Sequence, residues 1–338
     1  MTQIIKTTDY ASQVSSLSKQ KPIEEILGEI IGDKWYDYRK RWKNASSRKA
    51  ETDFPLFVLF EDQYACNLTC KMCVHGHKDL EKIYSYNGKL DFSTFKSLID
   101  ECVEHNCPSI CMNNGNEPLL ERDIFDRIRY ASDKGIIDIH MNTNATLLDK
   151  EKSEMLLESG LTRLLIGFDG FTKEEYEIVR KGAHYESVIE NIDYFLKLKK
   201  KLKKRLPVVR ISLVLMKDNS NHLEDFIGYW LDRVDYVAIQ NFLNFDSNYS
   251  KSIRLKKAIN ETSKKICTIP WERVVVTGDG EVLPCCSQIG RPLSVGNIHK
   301  SSIYDIWNSS QIKNLRKKLM KKEFKDLPVC AECLGIAN

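Results

Sequence analysis

The 338-residue chain lacks the long apolar runs, strong charge and repeats that mark several large classes of protein. No stretch approaches the roughly 20 apolar residues of a membrane span. The opening residues, MTQIIKTTDY, carry no basic segment followed by an apolar one, as a secretory signal would. A net charge of +4 is too small to indicate nucleic-acid binding. These absences predict a globular protein that binds neither membrane nor nucleic acid.

Cysteine, by contrast, is abundant. Eleven cysteines without a secretion signal predict a cytoplasmic protein whose thiols bind metal rather than form disulfides. The length suits one large α/β domain with a small appendage.

Strand and helix patterns alternate six times through the middle of the chain. The predicted strands are Leu56–Phe60, Ser109–Met112, Ile137–Met141, Arg163–Phe168, Val208–Leu215 and Tyr236–Gln240. The predicted helices are Phe92–Glu104, Asp123–Asp133, Lys150–Glu158, Lys173–Arg180, Tyr185–Leu198 and His222–Trp230. Short buried strands that alternate with helices pair in parallel through right-handed crossovers. Periodicity alone leaves open whether the sheet is doubly wound or curled into a barrel.

The N-terminal region shows two patterns. Residues 1–20 are polar and lack periodicity, which predicts a mobile tail. From Pro22 onwards, apolar residues at helical spacing predict one or two amphipathic helices that pack on the main domain. A module that recognises a substrate peptide is the alternative.

Three cysteines follow the first predicted strand in the loop CNLTCKMC: Cys66, Cys70 and Cys73. Thiols at this spacing can ligate three irons of a cubane cluster and leave the fourth iron without a protein ligand. A zinc knuckle is the alternative, but it would normally be closed by a fourth ligand nearby, and Cys102 lies far downstream. The loop follows a strand, and α/β proteins build active sites at the carboxyl ends of their strands.

The loop resembles the cluster motif of the radical S-adenosylmethionine (radical SAM) superfamily, and three later segments extend the resemblance. NNGNEPLL is similar to that family's Gly-Gly-Glu-Pro motif, MNTNATLL to Thr-Asn-Gly-Thr, and LLIGFDGFTKEEYEIVRKG to Ser-Ile-Asp-Gly followed by Ile-Arg-x-Gly. The resemblance implies that the open iron binds SAM. It also implies that reduction yields a 5′-deoxyadenosyl radical, which abstracts hydrogen from a substrate.

The same resemblance implies a set of cofactor-binding residues: Met72, Gly115, Glu117, Pro118, Thr143, Asn144 and Arg180. Gly115 and Glu117 are expected at the ammonium group of SAM, and Pro118 fixes the turn. Arg180 is expected at the carboxylate or ribose, because a guanidinium fork suits a carboxylate. Met72 is expected against the adenine. A surface arginine and an ordinary polar turn are the alternatives for two of these segments.

Three positions depart from the family pattern. Asn116 replaces a glycine, Ala145 replaces a glycine, and Gly167 replaces a serine, so one hydroxyl contact to SAM is expected to be missing.

The C-terminal cysteines form a second group, and their segment is similar to the SPASM/Twitch extension of radical SAM enzymes. Its expected ligands are Cys267, Cys285, Cys330 and Cys333. The chain ends five residues after Cys333, which predicts the Twitch arrangement with one fully ligated 4Fe–4S cluster. The same four thiols could hold zinc.

Four further cysteines and two histidines have no assigned ligand role. Cys286 is the candidate catalytic residue, a thiol that returns a hydrogen atom to the substrate as in epimerases of the superfamily; a small buried side chain is the alternative. Cys102, Cys107 and Cys111 are predicted to be core residues. His75 and His77 could contact substrate, although a solvated loop is the simpler interpretation.

Together these patterns predict an N-terminal tail and helices over residues 1–54, a partial (β/α)6 TIM-like barrel over 55–258, and a Twitch domain over 259–338. The implied function is that of a radical SAM oxidoreductase or epimerase acting on a small molecule, such as a sugar or aminocyclitol. A flavodoxin- or ferredoxin-type protein would supply electrons, and the basic run at residues 197–206 could dock it unless it is only a solvated helix end. A maturase that modifies a ribosomally made peptide and a non-catalytic iron–sulfur or zinc protein are the alternatives.

Overall fold

The computed structural model describes residues 5–9, 14–19, 21–48, 50–242, 267–287 and 290–334. These residues form one sheet, in the order β1-β2-β8-β7-β6-β5-β4-β3-β9-β10-β11. The strands are β1 (Ile5–Asp9), β2 (Val14–Ser18), β3 (Phe57–Glu61), β4 (Ser109–Cys111), β5 (Asp138–Thr143), β6 (Arg163–Gly167), β7 (Val208–Leu215), β8 (Tyr236–Asn241), β9 (Arg273–Thr277), β10 (Glu281–Leu283) and β11 (Gly296–Asn297).

Strands β3 to β8 pair in parallel in chain order, and β9 pairs in parallel with the other edge of β3. Most of their residues are buried, as expected for a parallel sheet covered on both faces. The predicted partial (β/α)6 barrel is confirmed, and the sheet is not closed.

The helices are α1 (Ile23–Ile31), α2 (Asp33–Ser46), α3 (Lys78–Tyr84), α4 (Phe92–Glu104), α5 (Ile124–Asp133), α6 (Lys150–Glu158), α7 (Lys173–Val179), α8 (Tyr185–Lys201), α9 (Leu223–Leu231), α10 (Ile303–Trp307), α11 (Ser310–Lys321) and α12 (Pro328–Cys333). Helices α4 to α9 are the six predicted from the periodicity. Three of them begin at side-chain caps: Asp91 accepts a hydrogen bond from Thr94 N at 2.9 Å, Asp149 accepts one from Lys152 N at 2.8 Å, and Thr172 accepts one from Glu175 N at 3.3 Å. Within the described residues, no helix is long and apolar enough to cross a membrane.

The predicted tail over residues 1–20 is wrong for the part that the structure describes. Strands β1 and β2 form a hairpin, and β2 pairs antiparallel with β8, with Val14 opposite Gln240. Ser15, Ser16 and Ser18 are buried there. Backbone pairing with the edge of the sheet orders this segment, and a hydrophobicity pattern does not register buried serines.

Helices α1 and α2 pack across the amino ends of the strands, as the apolar spacing predicts. Trp35 and Tyr38 are buried against Val208 and Tyr236, the first residues of β7 and β8. The guanidinium of Arg163, the first residue of β6, lies 5.0 Å from the centre of the Trp35 ring. The two helices therefore form a floor beneath the partial barrel.

The C-terminal segment is continuous with this sheet. Strand β9 pairs in parallel with β3, and β10 and β11 extend the sheet beyond β9 in antiparallel pairing. Trp307, at the end of α10, is buried and donates a hydrogen bond from its indole nitrogen to Thr52 O at 2.6 Å. Arg316 of α11 donates to Pro270 O at 2.9 Å. These contacts fix the C-terminal helices beside the start of the barrel.

Candidate active site

The cysteine loop leaves the carboxyl end of β3 and is held in place by backbone hydrogen bonds to distant segments. Thr69 N donates to Lys181 O at 3.1 Å, and Lys71 N donates to Val179 O at 2.8 Å. Where the loop turns back on itself, a Cβ at Gly76 would lie 2.3 Å from Cys70 O, so only glycine fits. These backbone contacts therefore help to hold the loop in its conformation.

Of the three thiols of this loop, Cys70 is buried, and Cys66 and Cys73 are half-buried. Burial, with smaller contributions from the Cys73 and Cys66 thiols, raises the pKa of Cys70 to about 12, although Arg180 opposes the shift. Burial likewise raises the pKa of Cys66. Such thiols are protonated when no metal is bound and release their protons to ligate one.

Within the described residues, no group of three or more His, Cys, Asp or Glu side chains is arranged to hold a single metal ion. A cubane cluster instead takes one thiolate at each iron corner, which spreads its ligands more widely. The donor set of Cys66, Cys70 and Cys73, with its shielded thiols, fits three corners of such a cluster.

Glu117 joins the segments after β4 and at the end of β5. Its carboxylate is buried and accepts hydrogen bonds from Thr143 Oγ1 at 2.7 Å, Asn144 N at 2.8 Å and Leu119 N at 3.1 Å. Its own backbone N–H donates to Ala65 O in the cysteine loop at 2.9 Å. Burial raises its pKa despite these donors. Three of the sequence-predicted SAM residues therefore form one hydrogen-bonded unit beside the thiols.

Asn144 lies at the border of this unit and the cysteines. Its Nδ2 is 4.0 Å from Cys66 Sγ and donates to Asn67 Oδ1 at 2.9 Å. The next residue, Ala145, is buried with a φ of +59°, in the left-handed region. This explains physically why a glycine suits the position in the family motif.

The Gly115 peptide is held on both sides. Glu61, the last residue of β3, accepts a hydrogen bond from Gly115 N, and His75 Nε2 donates to Gly115 O at 2.9 Å when that nitrogen is protonated. His75 is buried, and Tyr64 stacks on its ring at a centroid distance of 4.3 Å. The predicted solvated loop is therefore wrong for His75, because the turn at Val74–Gly76 directs its ring inwards.

His77 is half-buried, and its Nε2 lies 3.1 Å from Lys71 O. His77 therefore contacts the backbone of the cysteine loop.

Arg180 forms a buried ion pair that the sequence motif did not reveal. Its Nε donates to Asp169 Oδ2 at 2.6 Å, and Asp169 Oδ1 accepts from Val214 N at 2.6 Å. A Cβ at Gly167 would lie 2.1 Å from Arg180 Nη2. Gly167 thus makes room for the guanidinium, which occupies the space of the serine found in the family pattern.

Two remaining predicted SAM residues shape the walls of this region. Met72 is half-buried and packs between two apolar clusters, with Val179 and Met216 among its neighbours. Pro118 begins the 3-10 turn at Pro118–Leu120.

The auxiliary cysteines also converge. Cys330 and Cys333 lie one turn apart on α12, and Cys285 follows β10. Burial, with smaller contributions from the Cys333 and Cys330 thiols, raises the pKa of Cys267 to about 12. The donor set fits a second iron–sulfur cluster, to which the four thiols would bind as thiolates after releasing their protons.

Cys286 lies between this group and the interior of the barrel. It is half-buried and packs against Phe57, Leu59 and Cys111. Burial, with a smaller contribution from Cys286, raises the pKa of Cys111 to about 12. Cys111 is buried, donates to Asn113 Oδ1 at 3.6 Å and accepts from Asn142 Nδ2 at 3.4 Å. Cys102, Cys107 and Cys111 are all buried, which confirms their prediction as core residues.

A cleft opens between the cysteine loop and the C-terminal segment; we call it the tyrosine cleft. Its enclosed space is about 20 Å³, room for about one water molecule, and with the mouth that is open to solvent the empty space is about 320 Å³. It is lined by Glu61, Tyr64, Val74, Tyr84, Tyr86, Asn114, Gly115, Thr277, Leu283, Ser287 and Arg291. Its lining therefore includes the Gly115 segment together with Leu283 and Ser287, which flank Cys285 and Cys286 in the chain.

The basic run at residues 197–206 lies at the other end of the molecule. It covers the end of α8 and the approach to the amino end of β7. Eight residues of β7 separate this end from the side of the cysteine loop, about 26 Å at the usual rise per residue. Its position therefore favours a solvated helix end over a docking site for an electron donor.

Sequence reasoning missed several residues of the site. Glu61 and Asp169 carried a usable signal, since each is a carboxylate at or just after the carboxyl end of a predicted strand. Tyr86 and Arg291 carried none, because only the tertiary structure brings them together.

Comparison with known proteins agrees with this geometry. The profile of the Radical SAM superfamily matches residues 60–229, and that of the SPASM iron–sulfur cluster-binding domain matches residues 267–334. The first match spans half of the chain, and the chain belongs to the radical SAM superfamily. It is a radical SAM enzyme that uses SAM, a SAM-binding 4Fe–4S cluster and an auxiliary cluster in a C-terminal SPASM-type domain.

Several characterised relatives differ widely in chemistry. The chain is 24% identical over 318 aligned positions to the tungsten-containing aldehyde ferredoxin oxidoreductase cofactor-modifying protein of Pyrococcus furiosus, covering 82% of this chain and 86% of that protein. It is 29% identical to GTP 3',8-cyclase of Limosilactobacillus fermentum, covering 53% of each chain. It is also 29% identical to AdoMet-dependent heme synthase of Nitratidesulfovibrio vulgaris, covering 55% of this chain and 47% of that protein. The chain thus spans about half the length of the last two.

Solved structures share the fold at low sequence identity. SuiB of Streptococcus suis bound to S-adenosylmethionine has a TM-score of 0.61 at 15% identity, covering 83% of this chain and 72% of that chain. The structure of anSMEcpe with bound AdoMet has a TM-score of 0.58 at 17% identity, covering 82% of this chain and 88% of that chain. BtrN in complex with AdoMet and 2-DOIA has a TM-score of 0.50 at 17% identity, covering 82% of this chain and 91% of that chain.

Proposed function

We propose that this enzyme abstracts a hydrogen atom from a small polyhydroxylated substrate, a sugar or aminocyclitol, and thereby oxidises or epimerises it. The observation that carries the proposal is the tyrosine cleft, whose lining includes both Gly115 and the residues that flank Cys285 and Cys286. A substrate in this cleft would lie between the cofactor that starts the reaction and the groups that end it.

When bound, SAM and its cluster supply the 5′-deoxyadenosyl radical. The residues of this chain then have three tasks. The hydrogen-bonded unit of Glu117, Thr143 and Asn144 positions the residues that bind SAM. Arg180, which is held by Asp169, offers a positive charge to SAM. The cleft orients one substrate C–H bond and excludes water.

The C-terminal cysteines suit two possible fates of the substrate radical. For oxidation, Cys267, Cys285, Cys330 and Cys333 would hold an iron–sulfur centre able to accept one electron from a substrate alcohol radical that has lost its hydroxyl proton. For epimerisation, the Cys286 thiol returns a hydrogen atom to the opposite face of the substrate, and the thiyl radical left on Cys286 takes one electron from the electron donor and one proton to restore the thiol. We further propose that the single auxiliary cluster of a Twitch arrangement serves the first fate, and that a flavodoxin- or ferredoxin-type donor reduces the first cluster.

The relatives support a small-molecule substrate. One relative, aligned over 82% of this chain, is named for modifying a cofactor, and the cyclase is named for GTP. Neither name refers to a peptide.

The test is turnover by the anaerobically reconstituted enzyme with SAM, a reductant and 2-DOIA in deuterated buffer. We expect 5′-deoxyadenosine to form faster with 2-DOIA than without it. Deuterium at carbon in the product would indicate quenching by a thiol, and Cys286→Ala would then remove the label while 5′-deoxyadenosine still forms. An oxidised product without deuterium would indicate electron loss. Stimulation by a peptide substrate alone, or no SAM cleavage at all, would contradict the proposal.

A further inference from the structure

We infer that Arg210 binds an anionic group of the substrate, a carboxylate or a phosphate, inside the partial barrel. This inference rests on the proposed function and deepens it, since it narrows the substrate to a polyhydroxylated ring that carries a negative charge.

Arg210 lies on the face of β7 that points into the barrel. Its chain neighbours Val209 and Ile211 are buried in the same apolar cluster as Phe195 of α8, so they point outwards to the helices. Successive side chains of a strand point to opposite faces of the sheet. Arg210 and Ser212 therefore point to the other face, which we call the inner face.

The inner face is open to a ligand around Arg210. Asn142 of β5, Gly167 of β6 and Gln240 of β8 lie on it and, like Arg210, are only half-buried. The outward-facing residues of the same strands, such as Val209, are fully buried. Since helices cover the outer face, the exposed surface of the inward-facing residues belongs to a space inside the partial barrel that solvent reaches.

Arg210 has no counter-charge among the residues that the structure describes. Its Nε is enclosed without a hydrogen-bond partner in that part of the chain, whereas the two terminal nitrogens are neither enclosed nor bonded there. The nearby carboxylate of Asp138 is already occupied: it accepts from Arg163 Nε and Nη2, each at 2.9 Å, and lies 2.8 Å from His140 Nε2. An arginine is rarely enclosed without a partner, because an unpaired charge loses hydration and gains nothing in return. An anionic ligand would supply the missing partner.

The surroundings of Arg210 carry an excess of positive charge. Burial, with smaller contributions from Arg163 and Arg210, lowers the pKa of His140, although Asp138 opposes the shift. Two guanidinium groups therefore act on this histidine against one carboxylate. A negatively charged group that enters this space is attracted to it.

Arg210 lies too deep to bind the group expected at Arg180. Asp169, which holds Arg180, accepts a hydrogen bond from Val214 N at 2.6 Å. Arg210 precedes Val214 by four residues on β7, about 13 Å along the strand. The SAM carboxylate is expected at Arg180, and the anion at Arg210 therefore belongs to the substrate.

The side chains around Arg210 suit a sugar-like ring with one anionic group. A guanidinium fork binds the paired oxygens of a carboxylate or phosphate through two parallel hydrogen bonds. Asn142 and Gln240 present amide groups on the same face, and amides can bond to ring hydroxyls. Glu61 of β3, which lines the tyrosine cleft, is also an inward-facing residue, so the cleft and Arg210 lie on the same side of the sheet.

The experiment is anaerobic calorimetry of the reconstituted, SAM-bound protein with three probes built on one ring: glucose, glucuronate and glucose 6-phosphate. We expect the wild type to bind at least one anionic probe about 10- to 100-fold more tightly than glucose, the usual effect of one charge-assisted contact. A preference for glucuronate would identify the anion as a carboxylate, and a preference for glucose 6-phosphate would identify it as a phosphate.

Substitutions at Arg210 test the assignment of this preference. Arg210→Gln should remove it, because an amide keeps hydrogen-bond donors but carries no charge. Arg210→Lys should retain only part of it, because an ammonium group lacks the fork. Arg129→Gln is the matched control: Arg129 pairs with Asp126 on the outer surface, and the preference should be unchanged.

Thermal unfolding without ligand separates a binding role from a structural one. An unpaired guanidinium contributes nothing to the unliganded fold, so the melting temperature of Arg210→Gln should equal or exceed that of the wild type. A clear fall in that melting temperature would show that Arg210 stabilises the fold and would contradict the inference.

Failure of both anionic probes to bind, equal binding of charged and neutral probes, or an unchanged preference in Arg210→Gln would overturn the inference. If 2-DOIA nevertheless stimulates formation of 5′-deoxyadenosine, the proposed function stands and only the assignment of Arg210 fails. If the preference depends on Arg210 but no sugar or aminocyclitol stimulates SAM cleavage, the anion site stands and the proposed function fails.

Discussion

Replacing Gly167 with serine, the residue of the family pattern, should impair SAM binding in this protein. A Cβ at this position would lie 2.1 Å from Arg180 Nη2, whereas ordinary contacts begin near 3.4 Å. The guanidinium would therefore have to retreat by more than about 1 Å. The end of an arginine side chain is flexible, but here its Nε is bound to Asp169 at 2.6 Å, and only 12% of the Arg180 side chain is exposed.

The magnitude follows from what the retreat disrupts. Losing one charge-assisted hydrogen bond costs about 1.5–3 kcal/mol. If Arg180 also contacts the SAM carboxylate, the Kd for SAM should rise about 10- to 100-fold. The melting temperature should fall by about 3–6 °C.

The assays are SAM titration of the reconstituted cluster, followed by its electron paramagnetic resonance signal, and thermal unfolding. Gly228→Ala on α9 is the matched control, since its added Cβ meets nothing within 4 Å. It should bind SAM normally and unfold at the same or a slightly higher temperature. A Gly167→Ser protein that matches the wild type in both assays would refute the steric argument.

Two further outcomes are expected. The reconstituted protein should contain about eight irons per chain, because each cubane carries four. The Cys330→Ala variant should bind less iron but still cleave SAM, whereas Cys66→Ala should abolish SAM cleavage. An iron content near four in the wild type would contradict the assignment of two clusters. Burial lowers the pKa of His140 in the fold, so as the pH falls below about 6.5 the unfolded chain gains a proton that the folded one does not, and stability declines. His140→Gln, which can still donate to Asp138, should show a smaller fall in melting temperature between pH 7.5 and 5.5, and parallel curves for the two proteins would contradict this assignment.

Much of the architecture could be predicted because it depends on local patterns. The buried strands and capped helices from β3 to β8 have a periodicity and cap residues that any reader of the sequence can find, and the cysteine spacings are equally local. The N-terminal hairpin escaped prediction because its order comes from backbone pairing with β8 rather than from apolar side chains.

Only those residues of the site that belong to sequence motifs could be predicted. Arg180 could be placed near SAM, but its partner Asp169 and the space left by Gly167 depend on the meeting of three segments. Tyr64, Tyr86 and Arg291 come together through tertiary contacts that no pattern along the chain records.

The floor formed by α1 and α2 has a consequence for access to the site. Trp35 and Tyr38 are buried against Val208 and Tyr236 and so cover the amino ends of β7 and β8. We therefore expect SAM and substrate to approach over the carboxyl ends of the strands, where the cysteine loop lies, and to share that route.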